Sequence, residues 1–148
     1  MARAASVGEA QGQGTIGTTL DVENYTGDTL AVTMTRIIDP ATGADEFNTP
    51  NMGDRFVAVD MSLENLSAAT ITDYANSDAA VIGTDSQAYT ADLDSVAECT
   101  NFSSGVFTLL PGNSENGCVV FQLPVGIGVK AIQFTIGIGA SDIVQWKP

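Results

Sequence analysis

The sequence predicts an all-β protein, either a β-sandwich or a Greek-key barrel, on three observations. Short runs of alternating apolar and polar residues recur along most of the chain. Clusters of Gly, Asp, Asn and Pro separate these runs, and such residues are typical of turns. No segment carries the extended 3.6-residue period of an amphipathic helix. A series of short strands with regular turns indicates two packed sheets or a closed barrel.

Composition and charge limit the classes of partner. The chain has 148 residues, of which 44% are apolar, so one domain with a sizeable core is expected. Eighteen acidic residues against five basic ones give a net charge of −13, which repels nucleic acid and anionic lipid. We interpret the acidity as solubility outside the cell, with an acidic binding surface as the alternative. No apolar run is long enough for a transmembrane helix.

The first fourteen residues differ from the rest in composition. Residues 1–14 are small, polar and Gly-rich, so we predict a flexible leader or tether there and one domain over residues 15–148. The leader resembles a mature region that follows a removed export signal and carries an initiating Met1, and a cytoplasmic origin is the alternative, since it would look the same in this segment.

The predicted strands follow from period-two alternation. In the first half they cover residues 16–22 and 30–38. The Asp39-Pro40 pair ends the second strand and begins an irregular loop over residues 39–54. The clearest strand covers residues 57–63, with Asp60, Ser62 and Glu64 on its solvent face. Later segments are predicted at residue 71, 79–82, 88–90, 106–110, 118–123, 130–138 and 143–146, with one helical turn over 91–98. Gly137 and Gly139 predict a bulge or a close backbone approach, and an open sheet edge there could accept a partner strand.

The two cysteines predict a disulfide between Cys99 and Cys118. A bridge over this spacing stabilises a fold by about 3 kcal/mol in the loop-closure model, and it forms in an oxidising compartment. The alternative is two free thiols in the core.

Three segments together resemble a known family: residues 53–67 (GDRFVAVDMSLENLS), 83–89 (GTDSQAY) and 109–124 (LLPGNSENGCVVFQLP). They are similar to an immunoglobulin-like domain of unknown function in exported bacterial proteins and lipoproteins, an architecture shared with a secreted immunoprotective antigen of actinobacteria. The resemblance covers roughly residues 15–138. It implies an antiparallel immunoglobulin-like β-sandwich, secreted or on the extracellular face of the cell envelope, and it carries no catalytic residue. Many members have a lipid anchor, so the native precursor of this chain is a candidate for one as well.

Catalytic residues are not predicted. The absence of histidine excludes Ser-His-Asp and Cys-His catalysis and the usual zinc sites, and no nucleophile elbow or phosphate-binding loop occurs. A glycosidase with two carboxylates needs one defined acid pair, and the sequence alone selects none. A cleft with paired carboxylates of perturbed pKa would support an enzyme.

Calcium is the cofactor alternative, because it binds six to eight carboxylate, amide and carbonyl oxygens. Three acidic clusters are its candidates, with solvated surface charge as the alternative for each. They comprise Asp39, Asp45, Glu46 and Asp54 in the long loop; Asp73, Asn76 and Asp78; and Asp92, Asp94 and Glu98.

Aromatic residues allow a binding face or simple packing. Phe56 falls on the polar face of its strand, and Tyr74, Tyr89, Phe102 and Trp146 lie near predicted loops or the C-terminus. Packing is favoured, because scattered surface aromatics are normal. The sequence therefore predicts an exported, non-enzymatic binding or interaction module whose partner is a protein or surface ligand. The alternatives are a calcium-dependent adhesion module and a structural domain that oligomerises through edge strands.

Overall fold

The structure of the chain is a computed structural model that describes residues 12–137 and 142–148. Within these ranges nearly every regular element is a strand. One short helix, α1 (Ala75–Asp78), and one 3₁₀ turn (Ser103–Gly105) interrupt the series. The strands are β1 (Gln13–Thr15), β2 (Thr19–Glu23), β3 (Thr29–Ala41), β4 (Asp54–Asn65), β5 (Ile71–Tyr74), β6 (Ala79–Gly83), β7 (Ala88–Asp92), β8 (Val106–Leu109), β9 (Ser114–Pro124), β10 (Val129–Phe134) and β11 (Val144–Lys147).

Nine of these strands form one sheet in the order β1-β11-β10-β6-β7-β9-β4-β3-β2. Neighbouring strands run antiparallel except β1, which pairs parallel with β11. The two ends of the sheet approach each other, since the Trp146 indole N–H donates to the carbonyl of Thr18 and the Gly17 N–H donates to the carbonyl of Met34. The prediction of an all-β sandwich is confirmed.

The main core lies between the two halves of this folded sheet. It contains the inward residues of both halves, and a second sheet of β5 and β8 contributes Ile71, Phe107 and Leu109. Along β4 the residues predicted to face inward, Val57 to Leu63 at every second position, are all fully buried. Period-two alternation placed these side chains correctly because each strand has one face against the core.

A second, smaller core lies on the other face of β4, where the sequence predicts solvent. Phe56 and Ala58 are buried there against Ala41, Val96 and Val120. The long loop covers this face, since the Ala97 N–H donates to the carbonyl of Thr42 and Gly43 pairs with Val96. Phe56 is therefore a packing residue, and the outward face of β4 becomes polar only further along the strand, from Asp60.

Cys99 and Cys118 form the predicted disulfide, 19 residues apart in the chain. Cys118 lies on β9 and is fully buried beside the smaller core, so the bond ties the segment that covers this core to the centre of the sheet. Part of the loop-closure entropy of the unfolded chain is removed by such a link.

Several predicted boundaries differ from the structure. Strand β3 continues through Pro40, whose peptide bond with Asp39 is cis, so the loop shrinks to residues 42–53. The helical turn predicted over residues 91–98 is wrong, because that segment pairs with the long loop, and the helix α1 lies at Ala75–Asp78 instead. Strand β1 begins at Gln13, inside the predicted leader, of which residues 1–11 lie outside the described ranges. Strand β10 ends at Phe134, and Gly139 also lies outside those ranges.

In the described ranges no helix is long and apolar enough to cross a bilayer.

Gly117 on β9 provides a test of core packing. A Cβ atom at this position would lie 2.5 Å from the Phe102 ring, so Gly117→Ala overpacks the core. We expect a loss of about 1–3 kcal/mol in the free energy of unfolding, measured by urea denaturation. The matched control is Gly126→Ala, where the new methyl meets open space. Equal stability of both variants would mean that Phe102 does not pack over Gly117.

Candidate functional site

The candidate site is a surface pocket of about 480 Å³ at one end of the sandwich. We call it the tyrosine–aspartate pocket, and it is lined by Tyr25, Asp73, Tyr74, Ser77, Asp78 and Gly137. These residues come from three regions of the chain: the turn between β2 and β3, the β5–α1 segment, and the residues after β10. Strand pairing brings them together, because β6 begins directly after Asp78 and pairs with β10 as far as Phe134.

Asp78 is the buried member of the pocket, with a side chain only 4% exposed. Its Oδ1 accepts a hydrogen bond of 3.1 Å from the N–H of Gly137, and its backbone carbonyl accepts another from Thr135. Its Oδ2 is buried, and no donor among the described residues hydrogen-bonds to it. A buried carboxylate oxygen without a partner destabilises a fold, so this oxygen marks a place where a donor is missing.

Burial raises the pKa of the Asp78 carboxyl to about 8, while the Gly137 N–H lowers it and the nearby Asp73 carboxylate raises it further. Near neutral pH the raised pKa keeps Asp78 largely protonated. Asp73 itself accepts a 2.8 Å hydrogen bond at Oδ1 from the N–H of Tyr74. The Asp73 charge nearby therefore adds to the cost of ionising Asp78.

Two tyrosines flank the acid pair. Tyr25 is 74% exposed on the β2–β3 turn, and Tyr74 is 58% exposed at the end of β5. The turn is ordered by Asn24, whose carboxamide oxygen accepts the N–H groups of Thr26 and Asp28. The pocket therefore combines exposed aromatic residues with a negatively charged, partly buried floor. This arrangement is suited to binding a hydrogen-bond donor or a cation.

Gly137 closes the base of the pocket. Its φ is +66°, a left-handed conformation that favours glycine, and a Cβ atom there would lie 3.2 Å from Oδ2 of Asp73. The close backbone approach predicted for Gly137 is thus present. The sequence reasoning missed Tyr25 as a site residue, because no local pattern shows that its turn lines the same pocket as the β5–α1 segment.

Of the calcium candidates, Asp73 and Asp78 meet in the pocket, but Asn76 donates its side-chain N–H to the carbonyl of Asp92 instead. The long-loop cluster does not converge. Asp39 forms a two-pronged ion pair with Arg55, at 2.6 and 3.0 Å, and Asp45 accepts N–H groups within its own turn. Glu46 and Asp54 have no place in either arrangement.

The third cluster divides as well. Asp92 and Asp94 both accept from the side-chain N–H of Gln122, at 2.8 and 3.4 Å, and burial raises the pKa of Asp94 with Asp92 adding to the rise. Glu98 instead accepts the Thr42 N–H with both carboxylate oxygens. Across the described residues no three His, Cys, Asp or Glu side chains converge as a metal site. Calcium binding stays a prediction.

Other aromatic residues pack, as the favoured interpretation of the sequence expects. Phe102 and Trp146 are buried in the main core. Tyr89 packs against that core and donates its hydroxyl to Asp85 at 2.6 Å, which lowers the pKa of that carboxyl. Tyr74 differs from them in being exposed at a pocket.

Family comparison places the chain in a group without an assigned role. Residues 19–143 match the family model described as a domain of unknown function (DUF4352), and the chain therefore belongs to this family. The match spans most of the sandwich, including every residue of the tyrosine–aspartate pocket. No curated protein matches the chain.

Solved structures with the same fold include a secreted protein of Mycobacterium tuberculosis, MPT63. It has 15% identity and a TM-score of 0.66, over 92% of this chain and 96% of MPT63. The yjhA protein of Bacillus subtilis has 11% identity and a TM-score of 0.61, over 90% and 97% of the two chains. An uncharacterized β-sandwich protein of Clostridium difficile has 11% identity and a TM-score of 0.55, over 98% and 99%. At these identities the likeness shows the fold alone.

Asp78 predicts a pH dependence of stability. Its pKa is about 8 in the folded chain and near 3.8 when unfolded, so the folded state holds the extra proton between these values. The free energy of unfolding should fall as pH rises from about 4 to 8, by up to about 1.4 kcal/mol per pH unit from this group. Asp78→Asn should remove this contribution, because the amide side chain does not titrate.

Urea denaturation of both proteins at several pH values measures the difference. The two should be similar near pH 4, and the variant should be the more stable one near pH 8. Taking the difference cancels the remaining acidic groups. Parallel curves for the two proteins would contradict the raised pKa of Asp78.

Proposed function

We propose that this member of the DUF4352 family is an exported, non-enzymatic binding module of the bacterial cell surface, and that the tyrosine–aspartate pocket is its ligand site. One observation carries the proposal: Oδ2 of Asp78 is buried at a pocket and lacks a hydrogen-bond donor among the described residues. A ligand that supplies this donor removes the cost of the unpaired oxygen and so gains affinity.

Export is supported by three features. The Cys99–Cys118 bond needs an oxidising compartment, the net charge of −13 favours solubility outside the cell, and MPT63, which has the same fold, is a secreted protein. A lipid anchor in the native precursor is compatible with this location.

The paired carboxyls also favour a second candidate, an acid–base enzyme, because a carboxyl with a pKa near neutral can act as a general acid. Binding is preferred because the chain has no histidine, the usual general base near neutral pH. Turnover of chromogenic glycosides or peptides that Asp78→Asn abolishes would replace binding with catalysis.

The disulfide is tested by thiol titration of the denatured protein. We expect no reactive thiol before reduction and two afterwards, because Cys99 and Cys118 are the only cysteines in the chain. Two reactive thiols before reduction would remove the strongest support for export.

The pocket is tested by ¹H–¹⁵N NMR with four separate probes: calcium chloride, butylammonium chloride, acetamide and glucose. We expect at least one probe to shift the amide resonances of Tyr74, Ser77 and Gly137, since Gly137 reports directly on the Asp78 carboxyl. Tyr74→Ala should weaken this response, because the ring forms one wall.

The matched control is Phe47→Ala, which removes an aromatic ring that is also exposed, on the long loop and outside the pocket. Its response to the probes should equal that of the original protein. If these four probes and a fifth, Nα-acetyl-L-arginine amide (capped arginine), all leave these amides unmoved, or if shifts appear elsewhere only, the pocket is not a ligand site.

A further inference from the structure

Building on the proposed function, we propose that the tyrosine–aspartate pocket binds the guanidinium group of an arginine side chain presented by a partner protein. The pocket has the chemistry that recognises this group: two carboxyl oxygens at its base and two exposed aromatic rings at its walls. A planar cation with several N–H donors satisfies both parts at once.

In the described ranges the acid pair has no salt bridge to a cation. Arg36 pairs with Asp60 and Arg55 pairs with Asp39, and neither salt bridge involves Asp73 or Asp78. Two neighbouring carboxyls repel each other when both are ionised, so a proton or a positive charge nearby stabilises them. A bound cation can therefore take the place of the proton that Asp78 holds without a ligand.

The oxygens available in the pocket match a guanidinium fork. One oxygen of each carboxyl is already occupied by a backbone N–H, from Gly137 for Asp78 and from Tyr74 for Asp73. This leaves the two Oδ2 atoms, of which that of Asp78 is buried and accepts no hydrogen bond from the described part of the chain. Guanidinium offers several donors in a fixed plane and binds two acceptors together, whereas an ammonium group acts as a point charge.

The tyrosines favour the same ligand. Tyr25 and Tyr74 are both more than half exposed, so their ring faces are accessible to a ligand that enters the pocket. Guanidinium stacks on aromatic faces, and the attraction of a cation to the ring adds to the pairing with the carboxylates. The net charge of −13 also steers a cation toward this protein over long range.

Calcium fits the pocket less well. It needs six to eight oxygen ligands, and across the described ranges the pocket contributes two carboxylates with no third acidic group. Free arginine also fits less well than a side chain in a protein, because its α-carboxylate is repelled by the acid pair. An arginine within a polypeptide lacks that charge.

The test uses three matched probes, Nα-acetyl-L-arginine amide, Nα-acetyl-L-citrulline amide and free L-arginine, in NMR titrations of the full chain. Citrulline has nearly the shape of arginine without its charge. At a pH about one unit above the pKa of Asp78, capped arginine should bind roughly tenfold or more tightly than capped citrulline and more tightly than free arginine. The shifts should centre on the amides of Tyr74 and Gly137.

Variants distinguish binding in the pocket from attraction to the overall negative charge of the protein. Asp78→Asn should weaken binding of capped arginine about tenfold or more, while Glu46→Gln, with the same charge change on the exposed loop, should leave it unchanged. Tyr74→Ala should weaken this binding about threefold. Because Tyr74 is exposed, this test does not require the fold to tolerate a substitution at a buried residue. Arg3→Ala, in a segment outside the described residues, tests whether the Arg3 guanidinium competes with capped arginine for the pocket.

Three outcomes overturn the inference. Equal binding of capped arginine and citrulline would show that charge is not recognised, and equal or tighter binding of free arginine would point to the amino acid rather than a protein. A response to calcium but not to capped arginine would replace guanidinium with the metal and leave the pocket as a ligand site. Silence toward every probe would remove both the inference and the proposed function.

Discussion

Burial of β4 on both faces is the constraint on which the rest of the structure depends. This strand pairs with β3 on one side and β9 on the other, and alternate side chains enter the main core. On its opposite face Phe56 and Ala58 need cover, which the loop after β3 and the segment before the disulfide provide. Burying these apolar groups is the main favourable term available to a sandwich of this size.

The end of the sandwich differs from β4, because an energetically unfavourable group, the Asp78 carboxyl, is buried there. Asp78 is buried where a hydrophobic residue would stabilise the fold more simply, and its Oδ2 accepts no hydrogen bond from the described residues. The surrounding backbone supports this arrangement, since Gly137 and Thr135 both donate to Asp78. Polar groups retained at such a cost occur often at binding sites, where the missing partner is the ligand.

Particular elements show how far sequence reasoning reached. The inward face of β4, the strands β6 and β7 and the Cys99–Cys118 bond were all predicted, because each depends on local alternation, turn residues or a single pair. Phe56 was placed on a solvent face because alternation cannot show a loop that folds back over the sheet. For the same reason residues 91–98 were read as a helical turn, although their partner is a loop about fifty residues away.

The sequence by itself determined the strand periodicity, the likeness to an exported domain family and the excess of acidic charge, since these are properties of residue order and composition. Only the tertiary structure decided which acids matter. Nine acidic candidates for calcium were equivalent in the sequence, and the fold places just Asp73 and Asp78 of these in one pocket with Tyr25. Burial then gave Asp78 its raised pKa, because desolvation depends on every element packed around a carboxyl and is absent from any local pattern.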